Sequence, residues 1–190
     1  MRDSRLVVLS GPSGVGKGTV VAKVRELYPY VWVSVSYTTR APRAGETDGV
    51  QYHFVDRAKF GELVKAGEML EWDEHFGNLY GTPRVPVEEH LAAGEPTLLE
   101  IELHGARQVR AAMPQACLVF LRPPSWDELA RRLGGRGSEP PGFVADRLAR
   151  ARIEMAAEDE FDAVIVNDDV ERAAAELVGL LESACRPDDD

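Results

Sequence analysis

Seven residues near the start of the chain, Gly11-Pro12-Ser13-Gly14-Val15-Gly16-Lys17, have the types and spacing that hold phosphate. Glycines let backbone N–H groups curl around an anion without Cβ clashes, and a helix N-terminus behind them adds partial positive charge. Lys17 then reaches the outer phosphates as a point charge. The pattern follows an apolar run, Leu6-Val7-Val8-Leu9, and opens a helical stretch from Lys17 to about Leu27. That is the context in which G-x-x-x-x-G-K binds the phosphates of ATP. A hydroxyl residue ordinarily follows the lysine to touch Mg²⁺, but here Gly18 stands there and Thr19 comes next. Mg²⁺ is therefore expected to travel with ATP, held mainly by phosphate oxygens and water, with its protein ligands unassigned and Thr19 and Glu100 as candidates.

A second set of residues suits a phosphorylated acceptor. Arg40 and Arg43 stand three residues apart, with Pro42 stiffening the chain between them, and can converge on one phosphate. Tyr52 and Tyr80, each beside turn residues, can add phenolic donors. Glu100 and Glu102 end the run Thr97–Glu102, and their spacing puts both on one strand face near the phosphate loop. They can hold hydrated Mg²⁺ or orient the acceptor. Arg132, Arg136 and Arg147 surround the Gly/Pro-rich excursion Gly134–Gly142, a flap whose closure would carry guanidinium groups to a transferring phosphoryl and exclude water. Arg150 and Arg152 read as solvent-facing, and His104 as a satisfied loop histidine.

These groups need a frame. Leu6–Leu9, Leu98–Leu103, Cys117–Leu121 and Ala163–Val166 are short apolar runs, each followed by a helical stretch. That alternation predicts an α/β fold with a parallel sheet covered on both faces. Ser125-Trp126-Asp127-Glu128 is a capping box, and Asp168 or Asp169 can cap a last helix striped by Val170, Ala174, Leu177, Val178 and Leu181. Phe143, Val144, Leu148, Ala151 and Met155 stripe the helix before it. Two segments break the alternation: Ser34–Thr82, with strand-like pieces such as Tyr52-His53-Phe54-Val55, and Gly134–Gly142. Both are expected to project from the C-terminal edge of the sheet, where ligands bind in open α/β folds.

The chain has 190 residues, enough for one domain with insertions and a proper core. A formal charge of −10 excludes a typical nucleic-acid surface binder but not a nucleotide site, which depends on local charge. No apolar stretch approaches the ~18 residues of a membrane span, and the leading apolar run is too short for a signal segment, so the expected address is the cytoplasm. The two cysteines, Cys117 and Cys185, read as free thiols in a reducing compartment.

Taken in order, Gly11–Lys17, Thr38-Thr39-Arg40-Ala41-Pro42-Arg43-Ala44-Gly45-Glu46, Glu71-Trp72 and Gly77-Asn78-Leu79-Tyr80-Gly81-Thr82 resemble guanylate kinase. The likeness continues through Leu133-Gly134-Gly135-Arg136-Gly137 and Val164-Ile165-Val166-Asn167-Asp168-Asp169, and so spans nearly the whole chain. It implies a P-loop NTPase three-layer fold with an inserted α+β GMP-binding subdomain at about 34–82 and a short lid at about 134–152. The core would comprise about 1–33, 83–133 and 155–187, with an acidic tail at 188–190.

The resemblance further implies transfer of the γ-phosphoryl of ATP to GMP, and to dGMP, in purine nucleotide metabolism. Gly11 to Thr19, Arg132, Arg136 and Asn167 would bind ATP. Ser36, Glu71 and Thr82 would read guanine, while Arg40, Arg43, Tyr52 and Tyr80 would hold the GMP phosphate. Glu46, Glu100, Glu102 and Arg147 join the GMP set, and Lys17, Arg40, Arg136 and Arg147 would be catalytic. The family commonly has aspartates where Glu100 and Glu102 stand. A carboxylate at position 71 can accept from guanine N1–H and N2–H₂, whereas adenine would leave it unpaired. ATP and GMP are the expected partners, with no nucleic acid, membrane or obligatory protein partner. The alternatives are a kinase for another monophosphate and a guanylate-kinase-like binding module without ATP chemistry.

Overall fold

The computed structural model describes residues 5–75, 77–134 and 141–183, with backbone alone at 141–144. Nine strands and seven helices lie within them. The core strands are β1 (Leu6–Ser10), β2 (Trp32–Val33), β7 (Thr97–Glu100), β8 (Cys117–Arg122) and β9 (Ala163–Val166). They form one parallel sheet in the order β2-β7-β1-β8-β9. The expected parallel core is present.

The alternation along β1 shows why that strand is apolar throughout. Val7 and Leu9 face one side, where they pack with α1 (Lys17–Leu27) and α7 (Val170–Glu182). Leu6 and Val8 face the other, where they pack with α4 (Leu103–Ala112). A central strand buried on both faces has no position for a polar residue until it ends. Its end is Ser10, and the phosphate loop follows.

Capping fixes several helix starts. Ser125 Oγ accepts from Glu128 N–H at 3.2 Å at the start of α5 (Trp126–Gly134). Asp169, rather than Asp168, caps α7 by accepting from Arg172 N–H at 2.8 Å. The buried stripe of α7 is Ala173, Ala174, Leu177, Val178 and Leu181, with Val170 half-buried.

Residues 36–83 build a second, four-stranded sheet of order β4-β3-β6-β5. Its strands are β3 (Ser36–Thr38), β4 (Tyr52–Phe54), β5 (Met69–His75) and β6 (Asn78–Pro83), and α2 (Arg57–Lys65) covers it through Phe60 and Leu63. β5 and β6 pair antiparallel, which sets Glu71 opposite Thr82 and Asp73 opposite Tyr80. The outer edge of β5 is closed by α4, where Gln108 donates to Trp72 O at 2.7 Å and accepts from Trp72 N–H at 3.2 Å. The remaining helices are α3 (Arg84–Ala92) and α6 (Pro141–Met155).

Three expectations need correction. The run Leu98–Leu103 is not one strand: β7 ends at Glu100, and Glu102 takes the extended N-cap position of α4. Its neighbour β1 turns into the phosphate loop there, so the ladder ends with Ile101 N–H bonded to Leu9 O at 3.1 Å. His104 lies in the first turn of α4, not in a loop. Cys117 is buried and disulfide-bonded rather than a free thiol, because spacing alone carries no information on pairing. Cys185, the tail 188–190 and Gly135–Pro140 of the excursion lie outside the described residues.

Candidate functional site

The phosphate loop leaves β1 with Gly11, Gly14 and Gly16 all at positive φ. At Gly16, φ is 105° and a β-carbon would stand 2.6 Å from Asn167 Nδ2, so both backbone shape and space demand glycine. Asn167 Nδ2 donates to Val15 O at 2.8 Å and Arg132 NH1 donates to the same carbonyl at 2.9 Å. Lys17 is buried; its Nζ donates to Gly11 O at 2.6 Å and pairs with Glu102 Oε2 at 3.2 Å. Arg147, also buried, points an NH2 at Ser13 Oγ from 3.4 Å.

Two cavities meet at this loop. One is lined by Gly14, Gly16, Thr19, Arg132, Arg147 and Asn167, with Arg131, Asp168 and Val170 at its rim. Asn167 Oδ1 is buried there without a partner among the described residues, an acceptor available to a ligand's amino group. The other runs from Ser13 and Lys17 past Glu100 and Glu102 to Ser36, Tyr52, Glu71 and Tyr80. Lys17 lines the second, so the phosphate loop is common ground.

The far end of the second cavity holds a buried acid. Glu71 is 5% exposed, and its Oε1 accepts from Thr82 Oγ1 at 2.6 Å. Burial pushes its pKa up to about 7, with the Thr82 bonds pulling the other way. Burial raises Glu100 as well, against the pull of Lys17. Tyr52 is pushed up to about 12, chiefly by burial and then by the Glu100 charge. The Tyr52 phenol thus stays a protonated donor at neutral pH near Arg40, whose guanidinium lies 5.4 Å from the Tyr52 ring centre.

Some expected residues are not brought together as foreseen. Arg40 is gripped by Glu46 through two bonds of 2.9 Å, and the Glu46 carboxylate is held low by that contact and by Arg43 N–H. Arg43 contributes its backbone while its side chain stays exposed, so the two guanidinium groups do not converge here. Neither arginine nor Glu46 lines the second cavity. Arg147 lines the first cavity rather than the second. Arg136 lies outside the described residues. Arg150 is not solvent-facing: it is half-buried and donates to Glu154 and His75, whereas Arg152 is exposed and lies over Trp126.

Asp73, His75, Gly105 and Glu154 line the second cavity and were not anticipated. Glu71, Asp73 and His75 alternate along β5, so period two carried a signal for this face once residue 71 was singled out. Gly105 and Glu154 belong to α4 and α6, and nothing local to either predicts the approach. For a divalent cation, no group of three His, Cys, Asp or Glu side chains stands ready among the described residues. Glu100 Oε1 lies 3.5 Å from the β-carbon position of Gly18, and its unfavourable buried charge suits a nearby cation.

The guanylate kinase family model matches residues 3–184. The chain is 69% identical to a guanylate kinase of Frankia casuarinae, over 93% of this chain and 96% of that one. It is 63% identical to a guanylate kinase of Thermobifida fusca, over 95% and 92%. Among solved structures, the guanylate kinase of Anaplasma phagocytophilum is similar with a TM-score of 0.79 at 37% identity, covering 96% of this chain and 87% of that one.

Proposed function

The chain belongs to the guanylate kinase family and is an ATP-dependent GMP kinase of purine nucleotide metabolism, and we propose that its two cavities divide the substrates between them. ATP occupies the one beside Asn167 and Arg132, with its phosphates on the backbone of Gly11–Thr19. GMP, and dGMP as well, occupies the one that ends at Glu71. The buried Glu71–Thr82 pair carries this reading, because a buried carboxylate with one free oxygen is complementary to guanine N1–H and N2–H₂ and mismatched to adenine.

Guanine presents two donors on this edge, N1–H and N2–H₂, and Glu71 is fully matched to them only when ionised, so GMP binding draws a proton off a carboxyl whose pKa burial raises to about 7 in the free protein. Ser36 adds a hydroxyl at the same end of the cavity. The Tyr52 and Tyr80 hydroxyls and the Arg40 guanidinium hold the GMP phosphate, with Glu46 orienting Arg40 and Arg43 reaching in from its exposed position. Residues of about 34–82 then act as the GMP-binding insertion and those of about 134–152 as the lid.

In transfer, an oxygen of the GMP phosphate attacks the γ-phosphorus and the bond to the β–γ bridging oxygen breaks, giving ADP and GDP. Lys17, Arg147 and Arg136 supply the positive charge that the transferring group needs, and little other chemistry is required of the protein. Mg²⁺ would be held by phosphate oxygens and water with Thr19 and Glu100 at its edge, and would neutralise charge on the β- and γ-phosphates. No helix among the described residues is long and apolar enough to cross a membrane, and the cytoplasm is the compartment we assign. Product analysis tests the reading: ATP, Mg²⁺ and GMP should give equal ADP and GDP, and ADP without GDP would refute it.

A further inference from the structure

Two side chains of β5 have no part in the scheme above. Asp73 and His75 point to the same side as Glu71, and His75 is buried. His75 Nδ1 lies 2.5 Å from an NH2 of Arg150 on α6. A guanidinium has donors only, so the facing imidazole nitrogen must accept and the ring must be neutral. Its proton is therefore on Nε2, 3.1 Å from Asp73 Oδ2. The other oxygen of Asp73 faces Nδ1 of His104, on α4, at 3.2 Å.

The line continues on the far side. Arg150 Nε donates to Glu154 Oε1 at 3.0 Å, and Glu154 Oε2 accepts from the backbone N–H of Ser13 at 2.9 Å. Close polar contacts thus run from α4 to β5, and hydrogen bonds continue from β5 through α6 into the phosphate loop. β5 carries Glu71, and α6 carries Arg147, one turn before Arg150. The His75–Arg150 contact is the joint between the strand that holds the acceptor's base and the helix that reaches the phosphates.

We propose that His75 is a positioning residue for phosphoryl transfer: by accepting from Arg150 it fixes the strand carrying Glu71 against the helix carrying Arg147 and Glu154. The proposal rests on the assignment of the two cavities to GMP and ATP. The groups facing His75 are Asp73 on its own strand, Tyr80 on β6, Arg150 and Glu154 on α6, and Glu102 at the start of α4. Burial and the Arg150 charge hold its pKa below the usual histidine range, against the pull of the three carboxylates. His75 stays neutral at pH 7 and the joint is closed. Protonation in acid turns Nδ1 into a donor facing a donor, and the joint opens.

The test compares the full-length protein with H75F and H75N from about pH 5 to about pH 9, using Mg·ATP and GMP with thermal melts as a fold control. Asparagine Oδ1 occupies nearly the place of Nδ1 and accepts at every pH. H75F should raise KM for GMP about tenfold and lower kcat, with KM for ATP within about twofold. H75N should return both to within about threefold of wild type and lack the His75 acid limb, leaving only those of Glu71 and the GMP phosphate. H75F kinetics like wild type, a folded H75N as impaired as H75F, or an unaltered acid limb in H75N would each overturn the proposal. Should H75F not fold, H75N and its pH profile decide alone. Wild-type turnover of GMP is the separate check on the cavity assignment, since its absence removes that reading whatever the variants do.

Discussion

The carboxylate of Glu71 is held between Thr82, whose Oγ1 donates to Oε1 at 2.6 Å, and Gly105 of α4, where any β-carbon would collide with Oε2. One oxygen is fixed by a bond across the β5–β6 pair, and the other is given room by a residue with no side chain.

Gly105→Ala should therefore act as a specificity mutation. Gly105 has ordinary helical backbone, so alanine costs nothing there in propensity and its methyl group strikes the acid instead. KM for GMP should rise by about tenfold or more and the preference for GMP over AMP should fall, while KM for ATP stays put. Glu71→Asp in the same protein shortens the acid by one methylene and should recover part of the loss. Steady-state kinetics with both acceptors check this, and an unchanged GMP/AMP ratio in Gly105→Ala would contradict it.

Glu71 makes the free protein sensitive to pH in a definite direction. Its folded pKa is raised to about 7 from 4.5 by burial, so the stabilisation present below the unfolded value is lost as pH rises through about 7. Glu71→Gln removes that dependence and should gain stability relative to wild type between about pH 5 and pH 8, by up to about 3 kcal/mol. Denaturant melts at several pH values measure it. Near pH 6, GMP binding should release a proton from Glu71 that calorimetry in buffers of different ionisation enthalpy detects, and Glu71→Gln should lose that release.

Lys17→Ala separates the cavities. Lys17 is buried between Gly11 O and Glu102 Oε2, and in the proposed scheme its charge is what the loop offers the outer phosphates. The variant should lose kcat by about 10³ or more while GMP still binds within a fewfold. Turnover near the wild-type rate would remove the loop from the chemistry.

Asp169→Ala tests the frame rather than the site. The α7 cap is a single carboxylate accepting from Arg172 N–H at 2.8 Å, and its loss should cost about 1 kcal/mol and lower Tm by a few degrees. An unchanged melt would show that the cap is redundant.

Much of this arrangement was legible in the residues because it is local. The phosphate loop, the start of α1 and the apolar strands follow from short runs whose chemistry admits one reading. Glu71 and Thr82 were legible only through the likeness of the segments around them to a known family. What stayed hidden is contact between distant elements. The clash that requires Gly105 joins α4 to β5, and the bond from Arg150 to His75 joins residues 75 positions apart. Arg150 looked like a surface residue because a helix pattern cannot show that a hairpin lies against it. The strand end at Glu100 was missed because it depends on where the neighbouring β1 turns away. Cys117 was misread because pairing is a matter of distance in space.

Release of ADP with GMP, dGMP, AMP, CMP and UMP as acceptors, each with Mg·ATP, tests guanine reading by Glu71 most directly. Wild type should turn over GMP and dGMP at least about 10³-fold more efficiently than AMP, CMP or UMP, and Glu71→Gln should narrow the gap to AMP. Turnover of AMP or CMP rivalling that of GMP in the wild-type protein would contradict the account.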